Sequence, residues 1–221
     1  MVAIISADIA SSTSLKTKEL IELRRLLQEL FSRIAEVSPG FWGRIVRGDS
    51  IECFVPEYHD ALRIAILIKL YVKMTVAEWD CSPLLQRYGI RFSIGLGAIN
   101  YADKEDDIID GPAIYISGRN LDAISGIRDV YSCVEVDECD KRMNFLFDSY
   151  VALIDNLLNS YSVKQAEVVY YKLQGYKETQ ISEMIGVKQS AVNSRSTLAD
   201  WNLLGRAVKD FENFDFERVC G

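Results

Sequence analysis

Arg44-Ile45-Val46-Arg47-Gly48-Asp49-Ser50-Ile51-Glu52-Cys53-Phe54-Val55 is the stretch that decides how the rest of the chain is read. Two runs of β-favouring residues flank a Gly-Asp pair, the pattern of a hairpin with Asp49 at its tip, and Pro56 closes it. Upstream, the apolar run Met1–Ala7 suits a buried central strand and leads into a second carboxylate, Asp8. If that strand lies beside the hairpin, Asp8 and Asp49 present two hard oxygen donors to Mg²⁺ or Mn²⁺. Mg²⁺ usually takes one or two carboxylates and completes its shell with phosphate oxygens and water. The main-chain carbonyl of Ile9 is a third candidate ligand. Backbone N–H groups at the helix start formed by Ser11, Ser12 and Thr13 suit the phosphates of a nucleotide.

Outward from these residues the periodicity alternates between strand and helix. Leu23, Leu26, Leu27, Leu30, Phe31, Ile34 and Val37 recur at helical spacing, and Ser38-Pro39-Gly40 ends that helix. Residues 57–78 read as a second amphipathic helix. Ile90–Ile99 is an apolar strand in which Gly95 and Gly97 permit close approach of another backbone. Residues 102–110 are acidic and loop-like, Gly111-Pro112 opens a helix to about Ser125, Val130–Val136 is a strand, and 140–158 a long helix. The order β-α-β-β-α-β-α-β-α predicts an α+β fold, a ferredoxin-like split βαβ sheet with helices mainly on one face. An all-helical remainder follows. The expected domains are 1–160, 161–210 and an acidic tail over 211–221.

Composition narrows the function classes. The chain has 221 residues, 49% of them hydrophobic, and a net charge of −7, which argues against a protein that coats nucleic acid non-specifically. Charge is unevenly placed. Residues 1–161 carry 17 Lys+Arg against 24 Asp+Glu, whereas 162–209 carry 7 against 4, a mildly basic island. One histidine, His59, makes a His-based metal site or a Ser-His-Asp triad implausible. Five cysteines without metal-ligand spacing read as small hydrophobes in a reducing cytoplasm. The apolar run ALRIAILIKLYV is too short and too charged to span a membrane.

Arg119 follows Tyr115 by one helical turn, and a guanidinium there suits phosphate charge developing in a transition state. Each of these residues also has an ordinary role. A Gly-Asp tip is a common turn, a strand-end aspartate is a common helix cap, and Arg119 can pair with Asp122. Their combination in this strand order is what points to a site.

ADIASST, RGDSIECFV, IRFSIGLGAI and GPAIYISGR resemble, in order and spacing, the catalytic core of class III adenylate/guanylate cyclases. The resemblance implies that Asp8 and Asp49 hold metal and that Arg119 is the transition-state arginine. It also implies homodimerisation, because the family's site forms between two chains. This sequence departs from the family at the base-reading positions. Tyr115 replaces the family's asparagine, and Ile45 replaces its base-selecting lysine, with Arg44 and Arg47 alongside. A closer resemblance is to the small bacterial SatD-type proteins, which share the Gly-Asp hairpin and a G-P-A helix and often carry a C-terminal helix-turn-helix.

Residues 162–201 supply the pattern of such a module. Ser162 and Gln165 form a capping box, Gly186 turns the chain, and Ile181, Ile185, Val187 and Val192 lock two short helices together. The last helix offers Gln189, Ser190, Asn193, Ser194 and Arg195 to base edges, with Lys177 and Lys188 beside the phosphate backbone. It resembles sigma-factor region four and LuxR-type regulators. The expected function is a cytoplasmic, homodimeric DNA-binding regulator whose cyclase-like part binds a nucleoside triphosphate with Mg²⁺ or Mn²⁺. The alternative is an active nucleotidyl cyclase or nucleotidyltransferase.

Overall fold

The strand β1 (Val2–Ile9) is the centre of a five-stranded sheet, and its alternation sets the two faces. Ala3, Ile5, Ala7 and Ile9 point into the main core, whereas the hydroxyl of Ser6 on the other face bonds to that of Ser117 at 2.8 Å. β1 runs antiparallel to β3 (Ser50–Val55) and to β4 (Ile90–Gly97). β2 (Trp42–Val46) borders β3, and β7 (Ser132–Val136) lies parallel to β4, giving the order β2-β3-β1-β4-β7. The computed structural model describes residues 1–46, 48–124 and 132–220. Ser125, Val130 and Tyr131, expected at the ends of a helix and a strand, lie outside them.

Three helices cover the core face. α1 (Thr17–Val37) buries Leu23, Leu27, Leu30, Phe31 and Ile34, a stripe at helical spacing, while Val37 is left exposed at its end. α5 (Lys141–Ser160) packs on the same core through Val151, Ile154 and Leu158. Between them runs α2 (Ala61–Thr75), and it is buried nearly all round. Its second face is covered by α6 (Val163–Leu173), whose Tyr170 ring lies 5.9 Å from that of Tyr71. The opposite face of the sheet carries α4 (Pro112–Ile124).

Complete burial of α2 places two lysines in the interior. Lys69 has no solvent exposure. Its Nζ donates to the carbonyl of Ile90 at 2.7 Å and sits 3.0 Å from Asp155 Oδ1. Asp155 also accepts from Ser132 Oγ at 2.7 Å and from Asn159 Nδ2 at 2.8 Å, so its oxygens are satisfied. Lys73 Nζ donates to the carbonyl of Leu158 at 3.2 Å. Burial lowers the pKa of both ammonium groups, that of Lys73 to about 8, and Asp155 counteracts this at Lys69.

Several elements differ from the sequence-based expectation. Residues 102–110 are not an open loop but a small hairpin of β5 (Tyr101–Asp103) and β6 (Ile108–Asp110). A short helix, α3 (Pro83–Tyr88), capped by Ser82, precedes β4. The helical remainder continues with α7 (Glu178–Met184), α8 (Gln189–Leu198), α9 (Trp201–Glu212) and α10 (Phe216–Cys220). The acidic end, read from the sequence as a tail, is anchored: Phe211 and Phe216 are buried, and Phe147 packs edge-on against Phe216. The acidic residues hide three phenylalanines that a net-charge reading overlooks. Cysteines also depart from expectation, since Cys139 and Cys220 form a disulfide while Cys53, Cys81 and Cys133 are free. No helix among the described residues is long and apolar enough to cross a membrane.

Removing Asp155 leaves Lys69 buried without its counter-charge. Asp155→Asn is expected to lower the unfolding free energy at pH 7 by about 3–5 kcal/mol. The loss should shrink as pH rises toward 10, because the folded variant then binds fewer protons at Lys69 than the unfolded chain. Denaturant titrations at several pH values check this; a loss below about 1 kcal/mol at pH 7, or one independent of pH, contradicts it.

Candidate functional site

Strand register brings the two aspartates to neighbouring positions at one end of the sheet. Asp8 pairs with Ser50 across β1 and β3, so Asp49, the residue before Ser50, lies next to Ile9. The amide of Ile9 donates to the carbonyl of Asp49 at 3.2 Å. Gly48 precedes it with φ +86°, a left-handed conformation that suits glycine and lets the hairpin reverse. Sequence alternation alone could not supply this register; it follows from which face of each strand is apolar.

Side-chain contacts then hold the carboxylates. Asp8 Oδ1 accepts from Ser50 Oγ at 2.9 Å and Oδ2 from Arg91 Nη2 at 3.0 Å. Asp49 accepts from the hydroxyl of Ser12. The chain leaves β1 through Ser11, a non-glycine residue at φ +51°, and Ser12–Ser14 form one turn of 3₁₀ helix. Held left-handed residues of this kind are uncommon and cluster at ligand-binding turns. Thr13 is exposed beside them. Arg91 and Ser50 were not among the residues singled out from sequence. Arg91 is the one charged residue of the strand IRFSIGLG and pairs directly with Asp8 in the β1–β4 register, which is the signal that marks it.

Among the described residues no group of three or more His, Cys, Asp or Glu is placed to hold a metal ion. The acceptors at this end of the sheet, the carboxylates of Asp8 and Asp49 and the carbonyl of Ile9, are hard oxygens, the donor type that Mg²⁺ or Mn²⁺ takes together with phosphate and water. They do not fit a metal that needs nitrogen or sulfur ligands. Arg91 already neutralises Asp8, so a divalent cation there competes with a guanidinium.

The other expected nucleotide contacts are spread out. Arg44 Nε donates to Glu52 Oε2 at 2.9 Å, and Arg44 Nη1 is 3.9 Å from Asp107 in the β5–β6 hairpin. Arg47 lies outside the described residues. Tyr115 donates its hydroxyl to Asp110, which pulls the Asp110 carboxyl below its usual range and raises the tyrosine. Arg119 is largely exposed, with Glu135 on β7 at 3.8 Å. Within one chain, then, Tyr115 and Arg119 have their contacts away from the Asp8–Asp49 end.

On α8, Gln189, Ser190, Asn193 and Ser194 are exposed together, and Lys177 and Lys188 are exposed at the starts of α7 and α8. Val192 on their underside packs with Val168 of α6 and Ile181 of α7. Arg195 differs from its neighbours: it is half-buried and lies 3.5 Å from Glu167 of α6.

No family model matches the sequence, and no curated protein does. Among solved structures the chain is similar to a bacterial light-regulated adenylyl cyclase, at 20% identity and a TM-score of 0.43, over 60% of this chain and 42% of that one. A second structure of a bacterial light-regulated adenylyl cyclase matches at 18% identity and 0.42, over the same shares. The guanylyl cyclase Cya2 matches at 13% and 0.37, over 53% of this chain and 67% of that one. The first of these matches spans about two-fifths of the cyclase chain.

α4 reaches the sheet only because β4 lacks a side chain beneath it. A Cβ on Gly95 would lie 2.2 Å from the carbonyl oxygen of Ala113. Gly95→Ala is expected to cost about 1–3 kcal/mol of stability and to break the Ser6–Ser117 bond by lifting α4. A denaturant midpoint unchanged from the parent protein contradicts this packing.

Proposed function

We propose that this chain is a DNA-binding regulator of the SatD type whose cyclase-like part, residues 1–160, binds a nucleoside triphosphate with Mg²⁺ or Mn²⁺. The sheet is read as ferredoxin-like and of cyclase type, 161–210 as a helix-turn-helix unit, and 211–221 as an acidic tail. The observation that carries the nucleotide half is the register of β1 on β3, which sets Asp8 beside the Asp49 hairpin tip. Asp8, Asp49 and the Ile9 carbonyl would hold the metal, and the Ser11–Thr13 turn would receive phosphate. A bound cation neutralises the two carboxylates and the phosphates they face. Arg44, with Tyr115 or Arg119 from a second copy, would complete a site shared by a homodimer.

The DNA half rests on the exposed Gln189–Ser194 face and the flanking Lys177 and Lys188. A physical route between the halves is available. Arg91, which grips Asp8, follows Ile90, whose carbonyl is held by Lys69. Lys69 pairs with Asp155 on α5, and α5 runs into Tyr161, whose hydroxyl donates to the carbonyl of Ala199 just past α8 at 2.6 Å. Displacement of Arg91 by a metal would thus be felt at the end of the recognition helix.

The second reading, an active nucleotidyl cyclase, is favoured by the Arg119 guanidinium on α4, which is largely exposed beside Glu135 and could turn to a neighbouring chain's phosphates. The absence of the family's asparagine and lysine, at Tyr115 and Ile45, weighs toward binding rather than turnover.

Calorimetry with ATP and GTP in the presence of Mn²⁺ tests the nucleotide site. Asp8→Asn and Asp49→Asn should each weaken the Mn²⁺-dependent component about tenfold or more; unchanged affinity in both would remove the basis for this site. Pyrophosphate release that Asp49→Asn abolishes would move the assignment to the enzyme. For DNA, Gln189→Ala and Asn193→Ala should each weaken a gel-shift by about 1–3 kcal/mol. Retention of full affinity by both variants, with loss only on Arg195→Ala, would relocate the contact surface.

A further inference from the structure

A cleft of about 690 Å³ opens where α2, the end of α6 and α9 meet, and neither Asp8, Asp49 nor Arg91 lines it. Its size lies within the range of small-ligand sites. Four cations, Arg63, Lys172, Arg206 and Lys209, line it with one carboxylate, Asp210, and Glu212 and Glu178 pair with Arg63 and Lys172 from beside it, which leaves a small excess of positive charge in a chain whose net charge is −7. Two of the cations are held in place from outside the lining. Glu212 accepts from Arg63 Nε at 2.6 Å, and Glu178 accepts from Lys172 Nζ at 2.7 Å. Lys172 Nζ is further fixed 5.6 Å over the ring of Trp201. The other two stand one turn apart on α9 and are exposed, Arg206 with Asp210 at 3.5 Å.

The geometry points to a binding site for a polyphosphate, free or carried by a nucleotide, in this α2–α6–α9 cleft. A single phosphate would satisfy one end of it; cations on separate helices suit an anion whose charge is spread along a chain. The exposed amide of Asn202 and the indole N–H of Trp201 add donors that need no counter-charge. The concave shape of the cleft favours a small ligand over a duplex backbone. A second hollow of about 310 Å³ shares Lys172, Trp201 and Asn202 with the cleft and is lined beyond them by Glu178, Asp200 and, on α8, Asn193 and Thr197. A polyphosphate bound here therefore adds its negative charge beside the exposed polar face of that helix, independently of the aspartate site.

Calorimetry on the full chain in EDTA, with sodium triphosphate and ATP as probes, separates this site from the metal-dependent one. One ligand per chain is expected, with affinity in Asp49→Asn within about twofold of the parent and about tenfold weaker in the double variant R206A/K209A. Both substituted residues are on the surface, so loss of binding is not loss of fold, and circular dichroism of the variant verifies this. Equal affinity for the two probes assigns a free polyphosphate; tighter ATP assigns a nucleotide. The proposal is overturned if neither probe binds, if binding is lost in Asp49→Asn but kept in R206A/K209A, or if that double variant weakens only duplex DNA.

Discussion

An ammonium group with no access to water holds this molecule's layers together. Lys69 projects from α2 into the junction of the sheet and α5, where it meets the Ile90 carbonyl and the Asp155 carboxylate. Desolvating both charges costs several kcal/mol, and the interaction repays it only because each remaining polar atom of the carboxylate is bonded. That requirement fixes three elements at once. α5 must present Asp155 and Asn159, β7 must present Ser132, and β4 must begin where its first carbonyl meets Lys69. An apolar side chain in place of Lys69 would fill the volume without specifying which carbonyl or which helix turn it faces.

The same economy of charge governs the aspartate end of the sheet. Asp8 is half-shielded and carries Arg91 as its counter-ion, and Arg44 and Glu52 pair across β2 and β3 on the same side. A cation arriving at Asp8 would have to compete with the Arg91 guanidinium for that carboxylate. Partial exposure makes each of these pairs weak alone. Exchange is correspondingly easy, which suits a site that responds to a ligand.

Legibility in the sequence followed the range of the interaction. The hairpin at Gly48-Asp49, the stripe on α1, the capping box at Ser162 and the packing of Val192 against Ile181 depend on neighbours a few residues apart, and each was readable. The β5–β6 hairpin was not, because the acidic run ADKEDDIID obscures two three-residue strands whose apolar content is only Tyr101, Ala102, Ile108 and Ile109. Residues 211–220 differ from expectation for a related reason: their charges are visible at once, whereas Phe216 packs on Tyr58 and Phe147 from two distant segments as well as on nearby Phe211 and Phe214. Arg91 was passed over because its importance is a matter of register with Asp8 and not of local pattern.

What the sequence alone determined is the identity and order of the elements, since hydrophobic periodicity and turn chemistry are local and each segment carries its own. It also set the two carboxylates at the ends of segments able to become neighbouring strands. The tertiary structure decided which faces meet. α2 reads as an amphipathic helix, yet it is buried nearly all round because α6 and α9 pack on the face that a lone domain would leave in water. That second burial places Lys69 and Lys73 in the interior, joins the helical remainder to the sheet in one core, and forms the basic cleft beside α9. No single segment encodes these features, because the free energy of burying a helix face depends on a partner surface that exists only once the chain has folded.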